Sequence, residues 1–384
     1  MSTENQERFI LRQEADGGGY LFDRILGQAT PIPPEQFAEC QSREGVRKLP
    51  VPEKFPEGAR VAPFFAWMQL TYECPIKCRI CSAFKKGPEL SVNQWANVFD
   101  NMHQAGVFEA RMTGGEPTKY PGFTEVVEAA AETGLYVSLN SSGVMALDLR
   151  KKLPELPIGL YVLSIDGPQK AHDYTRGRGK FSEVWETLQT LVDAGKNVRV
   201  NTVLYQANKD HLEEMGGMLK EAGIAGWTLV PLRPIGGAAR NFDKMRLSRT
   251  QYGEALTEVR RLRAELGMDI AASYDTMSEG RIFNTPPYFE KRCAAGIEVV
   301  NVNPEGLVSA CILHNAPEPY KGNVLEEPFQ KIWADDSRWE EFRSRERLSQ
   351  ACRECDHFGA DCAGTCLVIA RHTGFPERDI YCQL

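Results

Sequence analysis

No run in this 384-residue chain approaches 18 consecutive apolar residues, so none of it reads as a membrane-spanning helix. Nor is there a basic run. The 45 Lys and Arg against 52 Asp and Glu leave a net charge of −7, which argues against an electrostatically held nucleic acid. The opening MSTENQERFI lacks the basic stretch followed by an apolar one that marks a secretory signal, so a cytoplasmic protein is expected. Internal repeats and low-complexity segments are missing too. What remains, 42% hydrophobic and 25% charged residues, is the balance of an ordinary globular protein. Its length suits one domain of about 200–250 residues plus a smaller appendage.

Against that background eleven cysteines stand out. Cytosolic thiols stay reduced, so clustered cysteines there more often bind metal than form disulfides. Three fall within 74–81, seven lie between 293 and 382, and Cys40 stands alone. Packing cysteines would scatter singly; Cys40 reads as an ordinary core or surface thiol, and the other ten do not.

Residues 1–60 form a leading segment, with strand-like runs around Gly17, Gly18 and Gly19 reading as a hairpin, a short helix near 35–42 and a Pro-bearing linker, KLPVPEKFPEG. From 61 to 285 apolar runs alternate with amphipathic ones. Strands are expected at 65–71, 108–113, 135–140, 160–165, 197–203 and 227–232, with helices at 121–133, 181–194, 208–222 and 248–266. Such alternation builds right-handed βαβ units on a parallel sheet. Six units are too few to close an eight-fold barrel, so the expected fold class is α/β, an open partial (β/α)6 barrel with chemistry at the C-terminal strand ends. Residues 286–384 form a cysteine-rich tail containing a hairpin around Asn303-Pro304-Glu305-Gly306 and one helix over 327–344.

Cys74, Cys78 and Cys81 are spaced C-x3-C-x2-C on the loop after the first barrel strand. Cysteine thiolates hold iron–sulfur clusters, and three of them on one loop ligate three irons of a cubane and leave the fourth open. A zinc site completed from elsewhere, or plain buried thiols, are the alternatives. At the end of the second strand, Gly114 and Gly115 allow close backbone approach, and the Glu116 carboxylate, followed by Pro117, is suited to an ammonium group. At the fourth strand end Ser164, with Arg176 twelve residues later, can clamp a carboxylate; a capping serine and a solvated arginine are the bland reading.

Together these motifs resemble the signature of the radical S-adenosylmethionine (SAM) superfamily. The resemblance implies that Cys74, Cys78 and Cys81 hold a 4Fe-4S cluster whose open iron chelates SAM, and that the reduced cluster cleaves SAM to a 5′-deoxyadenosyl radical. It assigns the SAM amine to the Gly114–Pro117 turn and the SAM carboxylate to Ser164 and Arg176. Asn140, with Ser141 and Ser142, is a candidate for the ribose or methionyl part, and Val203 and Leu204 for the adenine. One departure is Ile80, where the family usually has an aromatic residue, so stacking on adenine is lost.

The tail reads C-x12-G-x4-C over Cys293, Gly306 and Cys311, then C-x2-C-x6-C-x3-C over Cys352, Cys355, Cys362 and Cys366, then Cys382. This is similar to the SPASM domain, with one residue more than usual between Cys355 and Cys362. By that resemblance Cys352, Cys355, Cys362 and Cys382 fill one auxiliary cluster, and Cys293, Cys311 and Cys366 hold another, for three clusters in all. The second lacks a fourth thiolate; His314 is near in sequence only. A zinc ribbon would favour two C-x2-C pairs, and only one is present.

SPASM relatives mostly modify peptides and proteins, so a ribosomal peptide substrate is expected, with an electron donor such as flavodoxin or ferredoxin. The N-terminal hairpin is a candidate dock for a leader peptide by strand addition. Arg233, after the sixth strand, either contacts substrate or makes a structural salt bridge. The other readings are a radical SAM enzyme acting on a small molecule, such as an aminosugar or a tetrapyrrole side chain, and a non-catalytic electron-transfer protein. The last has no use for the Gly-Gly-Glu-Pro turn, Ser164 and Arg176.

Overall fold

The computed structural model describes residues 7–52, 54–81, 87–275, 294–313, 320–344, 348–357, 364–374 and 376–383. It contains two sheets. The first has the order β3-β2-β1-β4, from β1 (Phe9–Gln13), β2 (Gly19–Asp23), β3 (Gln28–Ile32) and β4 (Val46–Lys48). The hairpin is as expected: β1 and β2 pair antiparallel across the glycines. The strand β4 pairs parallel with β1 and ends at Lys48, the first residue of the stretch read as a linker. The helix Pro34–Ser42 covers this sheet, and Cys40 lies buried there with Leu11, Ile32 and Phe37.

The second sheet contains β5 (Phe65–Gln69), β6 (Glu109–Thr113), β7 (Tyr136–Ser141), β8 (Leu160–Ser164), β9 (Val198–Leu204), β10 (Gly226–Pro231), β11 (Ile270–Ala272), β12 (Val299–Val302), β13 (Leu307–Ser309) and β14 (Gly322–Asn323). Its order is β11-β10-β9-β8-β7-β6-β5-β12-β13-β14. Strands β5 to β10 are the six expected from the sequence. The sheet goes further at both edges. The short β11 pairs parallel with β10, and β12, from the cysteine-rich tail, pairs parallel with β5. Three residues are too few for an alternation to show, and nothing local says that β12 will lie beside a strand more than 200 positions earlier.

Side chains alternate across this sheet. Ala66, Met68, Ala110, Met112, Val198, Val200 and Leu204 face the helices in the main core. The opposite face carries Trp67, Arg111, Ser138, Asn140, Ser164, Asn201 and Val203 and lines the inside of the half-barrel. The helices Phe123–Thr133, Lys180–Asp193, Leu212–Glu221 and Arg249–Leu266 lie close to their expected positions. The helix expected over 327–344 is two, Phe329–Ala334 and Asp336–Arg343. Asp335 breaks it by leaving helical geometry to accept bonds from Ser337 Oγ at 2.6 Å and Arg338 Nε at 2.9 Å.

The N-terminal sheet seals the barrel at the amino ends of its strands. Ile10, Tyr20 and Phe22 join Phe64, Phe65, Phe108, Tyr136 and Leu160 in one apolar cluster, with Phe22 stacked on Phe108 at 4.6 Å. Arg12 is buried in this seam, paired with Glu14 at 2.8 Å and donating to the Gly106 carbonyl at 2.9 Å. Its guanidinium sits 4.4 Å from the Phe108 ring centroid. The opposite end of the barrel is left for chemistry. No helix among the described residues is long and apolar enough to cross a membrane.

Candidate active site

The three-cysteine loop leaves β5 and is held from three sides. Gly115 N–H donates to the Thr71 carbonyl at 2.7 Å, and Glu116 N–H to the Glu73 carbonyl at 2.8 Å. Arg79 N–H donates to Thr175 at 2.9 Å, and its Nε to the Tyr174 carbonyl at 2.8 Å. Gly237 N–H donates to the Cys81 carbonyl at 2.9 Å. The paired glycines are required here. A Cβ on Gly114 would stand 2.5 Å from the Thr71 carbonyl oxygen, and one on Gly115 would stand 2.4 Å from that of Glu73.

Cys74, Cys78 and Cys81 are partly exposed and close enough to influence one another's ionisation. Burial raises the Cys74 thiol and pushes Cys78 up to about 12, with Arg176 pulling the other way at both. The free thiols of Cys74 and Cys78 stay protonated near neutral pH, so a bound metal's charge is what would ionise them. Among the described residues, no three His, Cys, Asp or Glu side chains are arranged to close on one metal ion. The donor set nonetheless fits a cluster with an open corner: three thiols, no further His, Cys, Asp or Glu between Cys74 and Cys81, and a nearby cation.

Arg176 ends the helix Gln169–Arg176 and is fixed by Asp166, two residues beyond β8. Asp166 Oδ1 accepts Val203 N–H at 3.0 Å, and its N–H donates to His172 Nδ1 at 3.3 Å. Asn208 ties the same ends, donating to the carbonyls of Asp166 at 2.8 Å and Val203 at 2.7 Å. Burial opposes the Arg176 charge, and Asp166 more than restores it, so its pKa is raised.

Other expected residues are placed as follows. Asn140 and Ser164 face inward, and the buried Asn140 Oδ1 has no partner among the described residues. Val203 also faces inward, packed with Ile80 against Tyr205, Leu232, Ala238 and Phe242, an apolar wall suited to a flat heterocycle. Three expectations change. Leu204 points the other way, into the helix-facing core, because neighbouring strand residues alternate. Ser142 is committed to Glu116: its N–H and Oγ donate to Oε2 at 2.7 and 2.6 Å. Glu116 itself is fully buried, and its carboxylate also accepts Ser141 Oγ at 2.8 Å, Thr118 Oγ1 at 2.9 Å and Thr118 N–H at 3.4 Å. Five donors exceed the roughly four lone-pair sites of a carboxylate, so this side chain braces the turn and leaves the ammonium to the backbone.

Sequence reasoning missed Asp166, Asn201, Tyr205 and Asn208. Asn201 was legible by alternation with Val203, and it pairs directly with Ser164 across β8 and β9. Its Oδ1 is also buried without a partner among the described residues. Two unsatisfied inward oxygens beside a serine are what a polar ligand would complete.

In the tail, Cys293 and Cys362 lie outside the described residues, as does His314. Arg378 hydrogen-bonds the Cys382 thiol and lies near that of Cys355, bringing these two together, while Cys352 Sγ faces the Glu377 carbonyl at 3.6 Å. The Cys366 N–H is bonded to Asp379 Oδ2 at 3.1 Å. Cys311 is half-buried beside the main core.

An α/β half-barrel with a three-thiol loop at the carboxyl ends of its strands defines a class of cluster-dependent enzymes. Residues 68–219 match the Radical SAM superfamily, and residues 293–356 match the SPASM iron-sulfur cluster-binding domain. The chain belongs to the radical SAM superfamily and carries a SPASM domain, so it binds SAM and 4Fe-4S clusters. It is 28% identical over 323 residues to the PqqA peptide cyclase of Ruegeria pomeroyi, covering 80% of this chain and 84% of that one. It is also 28% identical over 345 residues to the mycofactocin maturase MftC of Mycolicibacterium smegmatis, covering 85% and 84%. In fold it is similar to Streptococcus suis SuiB bound to precursor peptide SuiA, with a TM-score of 0.78, 15% identity and coverage of 98% and 99%. A second fold likeness is anSMEcpe with bound AdoMet, at a TM-score of 0.69, 17% identity and coverage of 84% and 95%.

Proposed function

We propose that this enzyme modifies a ribosomally made peptide, by a crosslink, an oxidation or a decarboxylation, in the cytoplasm. The relatives named as a peptide cyclase and as maturases support the substrate class, and the clamped three-thiol loop carries the chemistry. In this reading residues 61–285 are the catalytic barrel and 286–384 the SPASM domain. Cys74, Cys78 and Cys81 hold the initiating cluster. Cys352, Cys355, Cys362 and Cys382 hold one auxiliary cluster, and Cys293, Cys311 and Cys366 the other, three clusters in all. When bound, the initiating cluster and SAM supply a 5′-deoxyadenosyl radical that takes a hydrogen atom from carbon.

The chain's own residues bind, orient and exclude. Asp166 aims Arg176 at the SAM carboxylate, with Ser164 beside it. Gly114 and Gly115 bring backbone carbonyls within reach of the ammonium, and Asn140 and Asn201 offer their oxygens to hydroxyl groups. Ile80 and Val203 lie against the adenine. The N-terminal sheet closes the far end of the barrel and keeps water out from that side. A small flavodoxin or ferredoxin would supply electrons.

The test is anaerobic incubation of the reduced enzyme with SAM and any short peptide found to be encoded beside its gene. 5′-Deoxyadenosine together with a mass change in the peptide supports the proposal. 5′-Deoxyadenosine with an unaltered peptide would move the substrate to another class.

A further inference from the structure

Arg233 follows β10 at the active-site end of the barrel and is half-buried. The sequence left it between a substrate contact and a salt bridge, and among the described residues it has no carboxylate at ion-pair distance. Its Nη1 instead donates to Tyr274 Oη at 3.0 Å, and its guanidinium stands 5.5 Å from that ring's centroid. Tyr274 Oη donates onward to Asp379 Oδ2 at 2.9 Å.

Asp379 is buried and gathers the tail around itself. The Oδ2 that receives Tyr274 also accepts the Cys366 N–H at 3.1 Å. Oδ1 accepts the Tyr381 N–H at 3.0 Å, and the Asp379 carbonyl accepts the Cys382 N–H at 2.9 Å. Tyr381 Oη then reaches back to the Leu232 carbonyl, beside Arg233, at 3.0 Å. One residue therefore fixes the backbones of two cysteines assigned to different auxiliary clusters, Cys366 through its carboxylate and Cys382 through its main-chain carbonyl, and two tyrosine hydroxyls tie this arrangement to the end of β10.

A second observation concerns Tyr274. Among the described residues it is the one non-glycine with positive φ, at 62°. A bulky side chain adopts that conformation only where its surroundings impose it, and such outliers gather at functional sites. Here the strain places the hydroxyl between Arg233 and Asp379.

We propose that Arg233, Tyr274 and Asp379 form a positioning device that docks both auxiliary clusters on the barrel mouth and sets a fixed cation beside the Cys366 cluster, raising its reduction potential. This rests on the reading of Cys366 and Cys382 as cluster ligands. A reduced cluster carries one more negative charge, so a cation held nearby in low dielectric favours reduction. Hydrogen bonds to the ligands' backbones hold that distance constant.

The experiment is an EPR-monitored redox titration of the anaerobically purified, full-length holoenzyme and its variants, with iron counted in each. Arg233→Gln lowers the midpoint of one auxiliary cluster, and Arg233→Lys, which keeps the charge, restores most of the drop. Tyr274→Phe keeps its iron and shifts the same cluster downward by less. The initiating cluster's midpoint stays put in all three. Auxiliary signals that titrate alike in Arg233→Gln, Tyr274→Phe and the unsubstituted protein would overturn the inference alone. An unsubstituted protein with no auxiliary signal would overturn the ligand assignment and the inference with it.

Discussion

Arg176 and Asp166 are joined by a single bond, Nε to Oδ2 at 2.6 Å, which leaves both terminal nitrogens of the guanidinium without a protein hydrogen bond among the described residues. The aspartate has no exposed side-chain surface and the arginine has 12%. A buried cation held by one edge presents its other edge in a fixed direction, which suits two-point recognition of a carboxylate.

Removing the anchor has a defined cost. Asp166→Asn is expected to weaken SAM binding about tenfold, ~1.4 kcal/mol, and to lower the melting temperature, since a buried charge loses its partner. Calorimetric titration of SAM into the reconstituted variant checks this. Unchanged affinity would mean that the orientation of Arg176 is unimportant.

Gly115→Ala forces a Cβ into the backbone of the cysteine loop, 2.4 Å from the Glu73 oxygen. The expected result is a native far-ultraviolet spectrum with about a third of the iron missing, as the initiating cluster is lost while the auxiliary ones stay. Gly217, with nothing within 4 Å of its added Cβ, is the control. Gly217→Ala lies within a helix and is expected to stabilise by about 0.5–1 kcal/mol.

The seam under the barrel depends on Arg12. Arg12→Ala leaves Glu14 buried without its cation and removes the contacts to Phe64 and Phe108. A loss of about 3–5 kcal/mol is expected, read from the shift in urea midpoint. Limited proteolysis of the variant should first cut the N-terminal sheet away from an otherwise intact barrel.

Two histidines make stability depend on pH. Burial is the largest cause for both His103 and His172, and it lowers each to about 4. The unfolded chain, with a histidine pKa near 6.5, binds protons that the folded one refuses. Their contribution is therefore complete above about pH 6.5 and lost as the pH falls towards about 4. Each is worth on the order of 3 kcal/mol. Urea midpoints at pH 7.5 and 5 should differ in that direction, and His103→Gln should reduce the difference by roughly half.

Much of this was legible beforehand. Gly114, Gly115, Ser164, Arg176 and the cysteines announce themselves by residue type and spacing, and the six central strands by short apolar runs separated by amphipathic stretches. Glu116 and Ser142 were visible as polar groups at a strand end, but only the fold shows that they satisfy each other. Asp166 was passed over because a carboxylate's partner ten residues later cannot be read locally. Neither β11 nor the union of β12 with β5 has a local signature, since both depend on long-range pairing.

The most direct test of the central claim is to replace Cys74, Cys78 and Cys81 together by Ala and assay the anaerobically reconstituted protein with dithionite and SAM. The account requires that 5′-deoxyadenosine formation vanish while the auxiliary clusters keep their iron. A triple variant that still cleaves SAM would contradict it.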